Sequence, residues 1–171
     1  REGNIGQGFI QDVVHAPNYF HTALRNRWYG QQNDNFGNPQ SLQTVAVHIY
    51  APNRYNNILG NVLGTTGYHT KYEAYPASAA DFDTSVFALG FGGNCGNGTF
   101  DNAADVRTSL LRWGNYDTVN AAVRWQSSEV PTADANYPSS TPATNTVPSS
   151  LFRSKKPPYW GSTIPWPPIG P

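Results

Sequence analysis

Asp81-Phe82-Asp83 places two carboxylates two residues apart in a chain of 171 residues. In an extended segment such a pair falls on one side, where it can divide acid and base roles in glycoside hydrolysis or hold a cation. A polar turn after Pro76-Ala77-Ser78-Ala79-Ala80 is the plainer reading of the same residues. Calcium would need further oxygen ligands. No Asp-rich loop of that kind is present, so no cofactor is expected. His69, Tyr72 and Glu73 form a second group: a tyrosine ring stacks on sugars, and a His–Glu pair handles protons near neutral pH. The same three side chains can equally pin a turn by packing and hydrogen bonding. His15, His21 and His48 are far apart and make no His-Glu-x-x-His pattern, so no metal site is expected.

Arginines supply a third group. Arg107, Arg112 and Arg124 stand near Asp101, Asp105 and Asp117, which can neutralise them at about 1 kcal/mol or less per exposed pair. The aromatic residues Trp28, Tyr29, Tyr50, Tyr55, Tyr68, Tyr72, Tyr75 and Phe82 crowd the middle of the chain. Exposed in a row they would make a glycan platform, with Trp28, Tyr55, Tyr68 and Tyr72 as candidate contacts; buried, they would be core. Cys95 stands alone in a Gly/Asn-rich loop, which excludes an internal disulfide. Asn97-Gly98-Thr99 fits a glycosylation sequon but is first a turn signal. No nucleophile elbow, phosphate loop or dinucleotide fingerprint occurs.

The elements that must position these groups are short. Residues 9–14, 22–29, 44–50, 57–63, 85–89 and 109–113 have strand length and strand composition. The best helical candidate is one or two turns at Asp101–Arg107, with Asp101 as its N-cap. Gly30, Gly60, Gly90 and Gly114 each close a strand, a loose periodicity expected of a solenoid with insertions. Asn26, Asn57, Asn61, Asn115 and Asn120 recur beside the strands. Asn tolerates left-handed corners, and stacked Asn side chains hydrogen-bond from one repeat to the next. Hairpin dipeptides are nearly absent, which favours parallel pairing.

Composition sets the remaining bounds. Eleven basic and eleven acidic side chains leave the chain formally neutral, which removes the simplest argument for nucleic acid or an anionic membrane. No apolar run approaches the ~18 residues of a membrane span. Low net charge with 13% aromatics describes a folded chain, its surface covered by uncharged polar groups. Residues 1–125 hold 14 of the 16 glycines and residues 126–171 hold 10 of the 14 prolines, so a β body is expected first and an extended tail second. In polyproline conformation residues 139–171 would reach ~100 Å, whereas five stacked strands rise only ~24 Å. The tail is therefore expected to wrap and cap the body, anchored by Phe152, Tyr159, Trp160 and Trp166; a flexible linker to another domain and a Pro-aromatic segment that binds a partner are the alternative readings. A start at Arg1 without Met reads as a processed product or a fragment of a longer precursor.

The blocks Arg54-Tyr55-Asn56-Asn57-Ile58-Leu59-Gly60-Asn61-Val62-Leu63-Gly64, Gly67–Glu73, Leu110-Leu111-Arg112-Trp113-Gly114-Asn115-Tyr116-Asp117-Thr118-Val119, Ser128–Pro131, Pro148–Phe152 and Pro165–Pro171 occur in that order. Their succession resembles the C-terminal part of large secreted bacterial proteins of the pectate-lyase-like, right-handed parallel β-helix type. The resemblance covers most of residues 20–171. It implies an all-β solenoid, an extracellular or cell-surface setting, and preceding coils that are missing or replaced by a partner. It implies an activity less strongly. A structural protein contacting polysaccharide or copies of itself is the first expectation. The alternative is a polysaccharide lyase or hydrolase using Asp81, Asp83, His69, Glu73 and Arg112, with basic residues clamping an acidic polymer.

Overall fold

The computed structural model describes residues 1–15, 17–76, 82–92, 103–131 and 141–171. The strands are short, as their composition predicts: β1 Ile5–Gly6, β2 Phe9–Gln11, β3 Thr22–Leu24, β4 Arg27–Trp28, β5 Val47–Ile49 and β6 Asn57–Leu59. They continue as β7 Val62–Leu63, β8 Lys71–Ala74, β9 Ser85–Leu89, β10 Leu111–Trp113, β11 Asn115–Asp117 and β12 Ala122–Arg124. One helical turn, α1, spans Asp105–Thr108 with Ala104 at its N-cap, so the helix begins later than Asp101, which lies outside the described residues.

The strands form three sheets, ordered β1-β4-β7-β11-β12, β3-β6-β10 and β2-β5-β9-β8. Every pairing is parallel except β11 with β12. From β2 onward the chain visits the sheets in one repeating order, and β8 is added beyond β9 at the edge of the third sheet. Corners explain why segments 22–29 and 57–63 each split into two strands. Arg25, Gly60 and Gly114 take left-handed backbone (φ 52°, 58° and 67°), and each redirects the chain before an asparagine. Gly30 and Gly90 also have positive φ but lie at other corners, so the four glycines of the expected repeat are not equivalent positions.

Asparagines join the passes. The backbone N–H of Asn4 donates to Asn26 Oδ1 at 2.9 Å, that of Asn26 to Asn61 Oδ1 at 2.8 Å, and that of Asn61 to Asn115 Oδ1 at 2.9 Å. The side-chain amides repeat the same links, Asn26 Nδ2 to Asn61 Oδ1 and Asn61 Nδ2 to Asn115 Oδ1, each 2.9 Å. Asn26, Asn61 and Asn115 are wholly buried, so each must satisfy its polar atoms inside the protein. A second link runs from Asn18 N–H to Asn53 Oδ1. Asn57 and Asn120 stand outside the ladder, donating to Thr22 Oγ1 and to the Asp117 carboxylate.

Parallel register stacks like on like in the core. Phe9, Val47 and Phe87 form one column, Ala23 and Ile58 another, Trp28 and Leu63 a third. His48 faces the other side of its sheet, stacked on Tyr50 at 3.8 Å with Phe82 beside it. Among the described residues neither of its ring nitrogens has a hydrogen bond, and burial pushes its pKa down to about 3.

The tail from 141 onward runs against the corner formed by Arg25, Gly60 and Gly114. Arg25 donates to the carbonyls of Pro148 and Val147 at 2.8 and 3.2 Å. Glycine is required at Gly60, where a Cβ would meet Val147 Cγ2 at 2.8 Å. Leu151 N–H donates to the Glu2 carboxylate at 2.8 Å. The tail is thus held at half-buried Val147, at buried Pro157 and through the backbones of Pro148 and Leu151; of the rings expected as anchors, Trp160 and Trp166 are half-buried, whereas Phe152 and Tyr159 are exposed.

Candidate functional site

The residues singled out for chemistry settle in four places. Glu73 and Arg112 share the first. In register, Glu73 extends the Phe9–Val47–Phe87 column and Arg112 extends the Ala23–Ile58 column, so both point inward from edge strands. Arg112 Nη1 donates to Glu73 Oε2 at 2.7 Å, while Arg107 donates to Oε1 through Nε and Nη2 at 2.9 and 2.6 Å. Burial opposes ionisation of Glu73, but the hydrogen bonds and charges of Arg107 and Arg112 outweigh it and hold the carboxyl below its ordinary value.

Tyr72 stands on the same strand β8. Its hydroxyl donates to Glu129 Oε2 at 3.0 Å, and Arg124 Nε donates to Glu129 Oε1 at 3.0 Å. The guanidinium carbon of Arg124 lies 3.9 Å from the centre of the Tyr72 ring, and that of Arg112 lies 5.3 Å away. Burial pushes the Tyr72 hydroxyl up, so it stays protonated and serves as a donor. Three arginines, two glutamates and a tyrosine therefore tie β8, α1, β10 and β12 together. The carboxylates come from Glu73 and Glu129 rather than from the aspartates near the arginines in sequence. Asp105 pairs with Arg54 at 2.6 Å, and Asp117 accepts from Val119 and Asn120 N–H.

Tyr68, His69 and Asp83 meet at Thr44. The Thr44 hydroxyl donates to Asp83 O at 2.7 Å, leaving its oxygen to accept from Tyr68 Oη at 2.7 Å. His69 Nε2 donates to Thr44 O at 2.9 Å, and Thr65 N–H donates to Nδ1 at 2.8 Å. Both ring nitrogens are occupied, which fixes the neutral Nε2–H tautomer. Burial lowers the His69 pKa, and the N–H facing Nδ1 leaves no acceptor for a second proton. Asp83 Oδ1 accepts from Gln43 N–H at 2.6 Å. Its proposed companion Asp81 lies outside the described residues, as do Cys95 and the sequon at Asn97.

Trp28 is core: it is buried and stacked on Phe9 at 5.4 Å, so its ring offers no free face. Tyr55 occupies the fourth place, stacked on Phe20 at 5.3 Å and 14°, with Tyr19 tilted against Tyr55 and edge-on to Phe20. Phe20 is 65% exposed and Tyr19 45%. Phe20 and Tyr55 both have positive φ, 59° and 57°, a conformation that costs a residue with a Cβ roughly 1–2 kcal/mol. Phe20, Tyr19 and Glu129 were not singled out from the sequence. The signal for the two rings is the 35-residue offset that links Asn18 to Asn53 and Asn26 to Asn61, because the same offset carries Phe20 onto Tyr55.

Among the described residues no group of three or more His, Cys, Asp or Glu side chains is gathered that could hold a metal ion. No helix among them is long and apolar enough to cross a membrane. Comparison of the chain with protein-family models, with curated proteins and with solved structures found no match.

Proposed function

We propose that the chain is an extracellular surface or structural protein, built as a right-handed parallel β-helix with a tail packed on its side, and that it contacts polysaccharide. The repeating order of parallel strands and the Asn ladder support the solenoid reading, and right-handed crossovers are the general rule for parallel strands. The observation that carries the glycan contact is the ledge of Tyr19, Phe20 and Tyr55. Two of its three residues, exposed Phe20 and half-buried Tyr55, hold strained backbone with their rings stacked on each other. Flat ring faces of this kind accept the C–H faces of sugars. Affinity electrophoresis over a panel of soluble polysaccharides tests it. At least one glycan should bind, and Phe20→Ala or Tyr55→Ala should weaken that binding at least tenfold while the fold persists. Unchanged binding by both variants would end the reading.

Self-contact is a second reading, favoured by the outer edges of β1 and β2, where Ile5 and Ile10 are exposed. The lyase or hydrolase alternative draws less support. Its acid–base candidates are already committed, His69 to two backbone groups, Glu73 to two arginines and Asp83 to a backbone N–H. Reducing-end and unsaturated-uronate assays should accordingly stay silent.

A further inference from the structure

Formal neutrality conceals a segregation of charge. Residues 141–171 contain Arg153, Lys155 and Lys156 and no Asp or Glu, so the remaining 140 residues carry eight basic against eleven acidic side chains. All three tail cations are exposed, and none takes part in an ion pair among the described residues. Rings flank them: Phe152 is 80% exposed and Tyr159 75%. The segment is held in place from below. Pro157 is buried, Phe152 and Arg153 N–H donate to Ser150 Oγ at 3.0 and 3.1 Å, and Trp160 N–H donates to Pro157 O at 3.0 Å.

Two concavities adjoin at Phe152. One, of about 220 Å³, is lined by Phe152, Arg153, Lys155, Lys156 and prolines. The other, of about 290 Å³, is lined by Phe152, Trp160, Trp166 and Pro167 together with Glu2 and Arg25. Trp160 and Trp166 meet edge to face at 5.0 Å, and Trp160 Nε1 donates to Ile164 O, which fixes that ring.

We propose that these adjoining hollows form a binding site for an acidic polysaccharide, one sugar lying against the tryptophan wall and a neighbouring carboxylate or sulfate reaching the Arg153, Lys155 and Lys156 cations. The rings supply what an anion alone does not need, and the cations supply what a neutral glycan does not need. A long polyanion such as duplex DNA would run onto a body with net negative charge, so the surface suits a short anionic stretch rather than a continuous phosphate track. The site stands independently of the Tyr19–Phe20–Tyr55 ledge, and separate variants keep the two distinguishable.

Dextran, carboxymethyl-dextran and dextran sulfate share one backbone and separate sugar from charge. Titrated at two salt concentrations, the full chain should bind one or both charged polymers at least tenfold more tightly than dextran, with affinity falling as salt rises. The relative strength of the carboxymethyl and sulfate forms identifies the anion. The triple variant Arg153→Gln/Lys155→Gln/Lys156→Gln should lose at least tenfold. Trp166→Ala should lose about fivefold for the polysaccharides while leaving any weak binding to duplex DNA unchanged. Phe152→Ala, at an exposed ring, should show the same loss if Trp166→Ala proves unfolded. The ledge variants Phe20→Ala and Tyr55→Ala should leave this binding intact. No binding of either charged polymer at physiological salt overturns the site, as does an unaffected triple variant. So does tighter binding to DNA or to phosphatidylglycerol vesicles than to both charged polymers.

Discussion

At one end of the strand ladder two inward columns finish in Glu73 and Arg112, and in the remaining sheet buried Asp117 is followed by β12, which folds back antiparallel on β11 with Ala122 opposite Asp117. At the other end β1 and β2 are parallel edge strands whose inward columns begin in uncharged Gly6 and Phe9, and on their outward faces Ile5 is 67% and Ile10 47% exposed. Inward charges and a reversed strand are devices that stop further strand addition. Glu73 pairs with Arg112 at 2.7 Å and with Arg107 at 2.6 Å, so each inward charge at the closed end has a counter-ion. The Asn ladder has the same polarity. Each backbone N–H donates toward the closed end, which leaves the Asn4 side chain as the exposed terminus at the open one. The two ends share one architecture and differ in what their last rung offers to a neighbouring strand.

The largest test of that contrast lies inside the ladder. Asn61 accepts from the Asn26 N–H and donates to Ala23 O and Asn115 Oδ1, all buried, and to Leu59 O, which is part-buried. Asn61→Ala strands several of these groups, each worth about 1–3 kcal/mol when left unpaired, and should cost about 3 kcal/mol or more in urea unfolding. Asn4→Ala, at the exposed terminus, should cost less than about 0.5 kcal/mol. Equal costs would mean that the ladder is not what joins the passes.

Next in size is the closed end. Glu73→Gln keeps the shape and removes the charge between Arg107 and Arg112, leaving the nearly buried Arg112 guanidinium without its counter-ion. A loss of about 2 kcal/mol is expected. Glu2→Gln at the open end should stay within about 0.5 kcal/mol. A Glu73→Gln protein as stable as the parent would remove the pair from the list of stabilising contacts.

Much of this frame was legible in the sequence. Asn26, Asn61 and Asn115 could be read as ladder residues because left-handed corners and buried amides have a residue preference. Parallel pairing followed from the lack of hairpin turns. The equivalence of corners was harder to read, since Arg25 takes the left-handed place that Gly60 and Gly114 fill, and insertions stretch the ladder spacing from 22 to 35 to 54 residues. Side-chain partners were the least legible. Glu73 finds Arg112 from 39 residues away because register stacks their strands' columns, and no local pattern announces it. Trp28 could not be told from a surface tryptophan because a two-residue strand shows no alternation.

A smaller effect separates the body from the closed end by pH. His48 and His69 are both depressed by burial, so each contributes stability that is present above the unfolded value near 6.5 and is lost as pH falls, over the range from 6.5 to about 3 for His48. Glu73 is depressed as well, so its contribution is complete above its ordinary value of 4.5 and is lost only as pH falls through its lower folded value. Between pH 6.5 and 4.5 His48 and His69 should lower stability, by at most roughly 1.4 kcal/mol per pH unit for each. His48→Phe removes one contribution without breaking a hydrogen bond, since its nitrogens make none among the described residues. Thermal melts of that variant should show a flatter slope in this window with the acid transition below 4.5 retained. An unchanged slope would assign the sensitivity to other groups.

The smallest change in stability should accompany the largest change in association. Ile5→Lys/Ile10→Lys places charges outward on β1 and β2, where the side chains already meet solvent, so unfolding should shift by less than about 0.5 kcal/mol. Multi-angle light scattering should find the parent chain associating with rising concentration and the double variant monomeric, because edge lysines block strand pairing. A parent chain that stays monomeric at every concentration would remove self-contact through the open end. The converse substitution completes the contrast. Glu73→Leu/Arg112→Leu continues two apolar columns to the closed end, a replacement that is often neutral or stabilising for a buried pair. If inward charge is what keeps that end from accepting strands, this variant should remain folded and begin to associate, whereas a folded monomer would show that β12 suffices alone.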